Sequence, residues 1–202
     1  MKLDEIIPRS RGVTMIEVLV TVIILSIGLL GLAGLQLTGM RSINSASYRT
    51  QAAVLVDDIA ERMRANVAAV DNNIFMAVDS GASINCNAVP APYCGEYYDT
   101  GTGAVIAAAS CNSTQLASYD ISTWYCGVSS SGVLSGGVRS ALPQASATIT
   151  CIDTDPPAGA DADPCTDRSP HTITLSWSEL NPNRTAGAAA TTTQSIAITI
   201  QP

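Results

Sequence analysis

The cysteines are the side chains of this 202-residue chain with the most definite chemistry. No pair has the C-x-x-C spacing of a zinc site, and the chain has one histidine, which argues against zinc. An even number of cysteines, all after one apolar segment, predicts three disulfides and an oxidising compartment such as a periplasm. Cys151 and Cys165 are predicted to pair, because the first ends a predicted strand and the second precedes the next. The sequence does not choose among the three pairings of the other four, which are Cys86, Cys94, Cys111 and Cys126.

Carboxylates are concentrated in the segment from Asp153 to Asp167, which contains five aspartates. Calcium requires six or more oxygen ligands, and two Asp-x-Asp pairs, formed by Asp153 with Asp155 and by Asp161 with Asp163, supply some of them. The segment lacks the spacing and the glycine of an EF-hand. We therefore favour a solvated acidic loop, with a weak calcium site as the alternative.

Catalytic patterns are absent from the sequence. It contains no G-x-S-x-G, no H-E-x-x-H and no G-x-G-x-x-G, and His171 stands alone beside Pro170 at the start of a predicted strand. We expect a structural histidine, no enzymatic activity and no cofactor.

The chemistry at the N-terminal end depends on a membrane-length segment. Val18 to Met40 is an uncharged run of 23 residues, long enough as a helix to cross a bilayer. Gly12 and Glu17 precede it, after a short charged leader whose basic residues indicate a cytoplasmic N-terminus. A secretory signal peptide would have its cleavage site after the apolar run. A plain anchor leaves Glu17 unexplained, because a carboxylate at the end of a lipid-embedded helix is costly.

The sequence RGVTMIEVLVTVIILSIGLLGLAGLQ resembles the signal segment of type IV pilins and pseudopilins. The resemblance implies cleavage between Gly12 and Val13 by a prepilin peptidase, N-methylation of Val13 and a role for Glu17 in subunit assembly. A physical argument supports that role. The new amine of Val13 and the carboxylate of Glu17 attract strongly in a medium of low dielectric constant. Within one helix they are four residues apart and could neutralise each other, whereas in a staggered bundle an incoming Glu17 could instead meet the amine of a neighbouring subunit.

Helical spacing of apolar residues continues beyond the span to about Val70, with charged residues on the opposite face. We therefore divide the chain into a leader (1–12), a transmembrane and filament-core helix (13–40), its amphipathic continuation (41–75) and a periplasmic head (76–202). Gly28, Gly31 and Gly34 interrupt the span. They are expected either to permit close packing or to let the helix loosen on assembly.

Two further patches, ERMRAN at 61–66 and QLASYDISTW at 115–124, resemble minor pilins of the PilV type. That resemblance implies a minor-pilin complex that primes pilus assembly near the tip. Its expected partners are other minor pilins, the major pilin and a large tip adhesin. By its own pattern, QLASYDISTW predicts a helix capped by Asn112 or Ser113.

Three segments alternate apolar and hydroxyl side chains and predict half-buried strands at 146–152, 172–177 and 195–200. Their apolar face matches that of the long helix. The fold class is therefore α+β: a pilin fold with a long N-terminal helix on a small antiparallel sheet, and with loops held by disulfides.

The charge of the chain bears on its possible partners. Without residues 1–12, the chain has seven basic and fifteen acidic residues and no lysine, which argues against binding nucleic acid. We expect a minor pilin in the inner membrane with its head in the periplasm, later incorporated into a pilus at the cell surface. The alternatives are a minor pseudopilin of a type II secretion system and an uncleaved, membrane-anchored periplasmic binding module.

Overall fold

The computed structural model describes residues 12–78, 84–88, 90–130, 133–153, 165–181 and 189–202. The chain divides into two compact units, of which the first ends at Asn44 and the second is Ser45–Pro202. We call the second unit the head. Helix α1, Met15–Ala65, is a continuous element whose residues belong to both units.

Helix α1 ends at Ala65, five residues before the end predicted from periodicity. Asn66 leaves the helical conformation, with φ −132° and ψ 57°, and its buried side-chain amide donates a 2.7 Å hydrogen bond to the carbonyl of Ser113. This long-range hydrogen bond replaces a continued helix. The chain then forms the short helix α2, Val67–Asp71, and a 3₁₀ turn, Ile74–Ala77.

The buried face of α1 begins later than the apolar spacing predicts. Ile43 and Ala46 are exposed, whereas the residues from Ala52 onward alternate between burial and exposure at helical spacing. The fully buried residues of α1 are Ala52, Val56, Ile59, Ala60 and Met63. The predicted apolar face of α1 is therefore confirmed from Ala52 onward, in the part of the helix that belongs to the head.

The main sheet contains β5 (Ser146–Cys151), β6 (His171–Leu180) and β7 (Thr191–Ile200), which we number after four shorter strands described below. It is antiparallel with the order β5-β6-β7. All three strands were predicted, and the predicted apolar face is confirmed: Ile149, Ile173 and Leu175 are buried in the same core as α1. This arrangement is consistent with the α+β pilin fold.

Helix α3 is Ser113–Cys126, and in the sequence it lies between α1 and the strands of the main sheet. Asn112 is its cap: the backbone N–H of Gln115 donates to Asn112 Oδ1 at 2.9 Å, and the N–H of Asn112 donates to Gln115 Oε1 at 3.0 Å. This reciprocal capping box satisfies two amide groups at the helix start.

Two small hairpins form between Tyr97 and Ser135, where the sequence shows no clear strand periodicity. Strands β1 (Tyr97–Asp99) and β2 (Ala104–Ile106) pair, as do β3 (Val128–Ser130) and β4 (Val133–Ser135). A short helix α4, Gly137–Ala141, follows. Gly127 joins α3 to β3 with φ +91°, and a Cβ there would collide with the carbonyl of Ser135.

Three disulfides join these elements. Cys151 is bonded to Cys165, the pairing that the strand positions favour, and it closes the connection between β5 and β6. Cys94 is bonded to Cys111 around the β1–β2 hairpin, and Cys86 is bonded to Cys126 at the end of α3. A disulfide of this loop length typically stabilises a domain by about 2–4 kcal/mol.

Candidate functional site

The predicted cleavage junction lies immediately before α1. Gly12, Val13 and Thr14 are exposed and outside the helix, which begins at Met15. The Gly12–Val13 peptide bond is therefore free of helical hydrogen bonding, as a substrate of a peptidase needs to be. Residues 1–11 of the predicted leader lie outside the described residues.

Thr14 caps α1, and the sequence reasoning missed it. The backbone N–H of Glu17 donates to the carbonyl of Thr14 at 3.0 Å and to its hydroxyl oxygen at 3.3 Å. The pattern T-x-x-E at 14–17 is the signal that could have revealed this cap. It places the carboxylate of Glu17 in the first helical turn, where the helix dipole favours a negative charge.

The span presents an apolar surface and satisfies the polar groups of its three hydroxyl side chains internally. Thr21 donates to the carbonyl of Val18 at 2.8 Å, Ser26 to that of Val22 at 2.7 Å and Thr38 to that of Gly34 at 3.0 Å. These bonds lower the cost of placing hydroxyl groups in lipid. By length and composition, α1 contains a segment able to cross a membrane, and the residues of that segment are exposed.

The glycines of the span do not interrupt the helix in this structure. α1 is continuous through Gly28, Gly31 and Gly34, and a Cβ at any of them would meet nothing within 4 Å. The surface at each glycine is therefore open to close approach by another helix. Loosening of the helix at these positions stays a prediction.

ERMRAN and QLASYDISTW, the two patches far apart in sequence, meet around the guanidinium group of Arg62. Arg62 Nη2 lies 3.1 Å from Asp58 Oδ2, and its Nη1 lies 3.1 Å from Asp120 Oδ1 and donates to Thr123 Oγ1 at 3.1 Å. We call Arg62, Asp58, Asp120 and Thr123 the Arg62 cluster. It connects α1 to α3 by charge-assisted hydrogen bonds.

Two further bonds extend this junction to both ends of α3. Asn66 donates to Ser113 at the first residue of α3, and the indole N–H of Trp124 donates to the carbonyl of Leu55 at 2.7 Å. Met63 is fully buried between these polar contacts. The inward residues of ERMRAN thus hold α3 against α1, while Arg64 points outward and pairs with Glu61.

The Arg62 cluster contains one cation for two carboxylates, and the pKa values show the result. Burial raises the pKa of Asp120, and the attraction of Arg62 only partly reverses this because the neighbouring Asp58 adds to the rise. Burial also opposes the charge of Arg62, but hydrogen bonds and attraction from Asp58 and Asp120 outweigh it and raise the pKa of Arg62. Arg62 is thus firmly charged, whereas the carboxylate of Asp120 is incompletely compensated.

The acidic segment from Asp153 to Asp167 is described only in part. Asp153 Oδ1 accepts a hydrogen bond from Thr166 at 2.8 Å, and no group of three or more metal-ligating side chains occurs among the described residues. Asp155, Asp161 and Asp163 lie outside those residues, so the solvated acidic loop stays a prediction, with a weak calcium site as its alternative. His171 is buried, and its Nδ1 lies 2.7 Å from the carbonyl of Ser169.

Comparison with known proteins agrees with this geometry. Residues 7–33 match the prokaryotic N-terminal methylation motif, and residues 34–122 match the Tt1218-like family, described as type IV pilin Tt1218. The chain is therefore similar to type IV pilins over these two regions. The matched methylation motif contains Gly12, Val13 and Glu17, and the match to the Tt1218-like family contains Arg62, Asn66 and Asp120. No curated protein and no solved structure matches the chain.

The Arg62 cluster makes a stability prediction. Arg62→Gln should lower the free energy of unfolding by about 2 kcal/mol, because it leaves the half-buried carboxylate of Asp120 without its cation. Arg64→Gln is the matched control: Arg64 lies on the same helix, its pair with Glu61 is exposed, and the expected loss is below about 0.5 kcal/mol. Urea unfolding followed by tryptophan fluorescence measures both. Equal losses in the two variants would contradict the role assigned to Arg62.

The raised pKa of Asp120 makes a prediction about pH. Protonation of a group with a raised folded-state pKa favours the folded state, so its contribution to stability is fully present below the unfolded pKa of about 4 and is lost as the pH rises through the folded pKa. We define the difference as the unfolding free energy of the unmodified chain minus that of Asp120→Asn. This difference should be larger at pH 3 than at pH 6. Unfolding measurements on both chains across this range test it, and a difference that is larger at pH 6 than at pH 3 would refute the prediction.

Proposed function

We propose that this chain is a minor pilin that is cleaved after Gly12, methylated at Val13 and incorporated into type IV pili, where it helps to prime assembly near the tip. The observation that carries the proposal is the junction formed by Gly12, Val13 and Glu17, which lies inside the methylation motif and at the start of an exposed apolar helix. Before assembly the helix would rest in the inner membrane with the head in the periplasm. Afterwards the same helix would form part of the filament core.

Glu17 supplies a physical reason for the change of environment. In a single processed chain its carboxylate lies in the first helical turn, where the helix dipole favours it, and the amine of the chain's own Val13 lies four residues away and could neutralise it. In a staggered bundle, Glu17 of an incoming subunit would instead meet the Val13 amine of a neighbour. Assembly is favoured where this contact between subunits compensates a carboxylate that is otherwise costly next to lipid.

The minor-pilin role and the PilV type are supported by ERMRAN and QLASYDISTW, which meet in the Arg62 cluster. The expected partners are other minor pilins, the major pilin and a large tip adhesin. A minor pseudopilin of a type II secretion system shares the methylation motif and is the second candidate. Pull-down of the tagged chain separates them, because pilus minor pilins and an adhesin support the first role and secretion pseudopilins support the second.

Processing is the first test. The mature chain should begin at N-methylated Val13. An amine-reactive probe should label the side chain of Lys2 in the denatured precursor and no lysine side chain in the mature protein, since Lys2 is the only lysine and lies in the leader. Gly12→Leu should accumulate as precursor, and because nothing lies within 4 Å of Gly12 this variant leaves the fold intact. N-terminal sequencing and mass spectrometry give the answer. An uncleaved chain as the final cellular product would refute the proposal in favour of a membrane-anchored binding module.

Assembly is the second test. Glu17→Ala should insert and be cleaved normally but enter filaments at least tenfold less than the unmodified chain, and Glu17→Gln should behave similarly if charge is the cause. Asp57→Ala, which removes an exposed carboxylate of the same helix outside the span, is the control and should assemble normally. Immunoblots of sheared pili and of membranes measure the ratio. Normal incorporation of Glu17→Ala would remove the assembly role of this residue.

A further inference from the structure

The hairpin of β1 and β2 carries an exposed apolar segment that the packing of the head does not explain. The six consecutive apolar residues from Ala104 to Ala109 are all exposed, and none of them belongs to the core. Val105 is 58% exposed, and Tyr98, its partner across the hairpin, is 55% exposed. A run of this kind is disfavoured on a soluble surface unless it has a function. We call Ala104–Ala109 together with Tyr98 the hairpin strip.

The hairpin strip is held in place by covalent and aromatic contacts. A disulfide between Cys94 and Cys111 joins the two ends of the segment that contains the hairpin. The ring of Tyr93 packs edge-on against the rings of Tyr97 on β1 and Tyr119 on α3, with ring centroids 4.9 Å apart in both pairs. A surface that is ordered before contact loses little conformational entropy on binding. The strip is therefore suited to docking a partner.

The charges around the hairpin strip are mainly negative. Glu96 is exposed and forms no ion pair with any residue that the structure describes. Asp99 keeps its charge, because hydrogen bonds from the turn between β1 and β2 lower its pKa. Arg62 acts electrostatically on Tyr119, which supports the strip, but two carboxylates already compensate this cation. An apolar centre with an acidic border complements a surface with an apolar centre and a basic rim.

The same charges argue against a second copy of this chain on the hairpin strip. Contact between two strips would bring the carboxylates of Glu96 and Asp99 from both copies together, and like-charge repulsion disfavours this. Without residues 1–12 the chain has seven arginines and no lysine, and Arg62 and Arg64 are already in ion pairs. A different subunit with a more basic head complements the strip better.

The size of the hairpin strip indicates how such a partner is held. A stable interface between free proteins takes about 20–30 residues from each side, whereas the strip consists of Tyr98 and one short segment. Such a contact is sufficient between molecules that a second contact already keeps close together, because this raises their effective concentration. The exposed apolar segment of α1 can provide that second contact in a membrane or a filament. A contact between unlike subunits needs no two-fold axis, so both helices keep the same direction.

We propose that the hairpin strip docks onto the head of a different pilin subunit, at a surface with an apolar centre and a basic rim. Tyr98 and Val105 would make the apolar contact, and Glu96 would face an arginine or lysine of the partner. The inference rests on the proposed incorporation into pili, to which it adds the contact surface and the chemistry of the partner.

Photo-cross-linking of the full chain in its native cells tests the inference. A benzoylphenylalanine replaces Val105, and the matched control is the same replacement at Val54, which is 63% exposed on α1 and has Gln51, Asp57 and Asp58 as helical neighbours. We expect at least tenfold more cross-linking from position 105 than from position 54. The product should contain a protein that differs from this chain and has the N-terminal methylation motif, and mass spectrometry identifies it.

Charge reversal tests the basic rim. Glu96→Lys should lower the cross-linking from position 105 at least fivefold, because it removes the attraction to the partner. Asp57→Lys, which reverses an exposed carboxylate on α1, is the control and should leave the cross-linking unchanged. All four substituted residues are exposed, so the head should remain folded in every variant.

Three results would overturn the inference: equal cross-linking from both positions, none from position 105, or a product with a second copy or with a protein that lacks the methylation motif. N-terminal sequencing in the same cells separates these results from failure of the proposed function. A chain that is cleaved after Gly12 but gives no product from position 105 refutes the role of the strip alone. An uncleaved chain refutes the proposed function and the inference with it.

Discussion

The head depends on one buried contact, in which the second half of α1 shares a hydrophobic core with α3 and with the inner face of the β5-β6-β7 sheet. A single helix has no core, and a three-stranded sheet with one apolar face must bury that face against another element, so each element requires the other. Trp124 shows how closely they depend on each other: its ring is buried, and its N–H donates to the backbone of α1 at Leu55. Both cysteines of the Cys86–Cys126 disulfide are part of this core, and the Cys94–Cys111 and Cys151–Cys165 disulfides join further segments of the head.

Polar groups determine how that core is oriented. Hydrophobic burial alone would tolerate small rotations of α3 over α1, but the Arg62 cluster and the bond from Asn66 to Ser113 specify one register. Specificity has an energetic cost here, because the cluster places two carboxylates around one guanidinium in a half-buried setting. Asp120 bears most of that cost: its pKa is raised, which disfavours its charged form. The pKa of Arg62 is also raised, which favours its charged form.

The sequence predicts those parts of the fold that depend on local periodicity. The three strands of the main sheet and their buried faces follow from alternation, and capping chemistry narrows the cap of α3 to Asn112 or Ser113, of which the structure shows Asn112. The four short strands β1 to β4 do not follow from it. The end of α1 does not, because a helical pattern continues to Val70 and only a long-range hydrogen bond breaks the helix at Asn66. The two disulfides among Cys86, Cys94, Cys111 and Cys126 do not either, since pairing depends on distances that loops without periodicity leave open. At the site, the sequence indicates Gly12, Glu17 and the i,i+4 pair of Asp58 with Arg62, and the structure confirms that pair. The second carboxylate at Arg62, that of Asp120, required the structure, because it lies 58 residues away in sequence.

The distribution of charge bears on how copies of the chain can associate. An acidic protein repels its own copies, so close association is cheapest where charge is absent. In this chain the apolar first part of α1 is such a surface. On α1 the only ionisable side chain before Arg41 in the described residues is Glu17, positioned at the helix start where it acts as a single attractive point in an otherwise neutral surface. The acidic residues elsewhere therefore restrict close association to a surface whose geometry is defined, a helix face, and this restriction favours ordered contacts over non-specific aggregation.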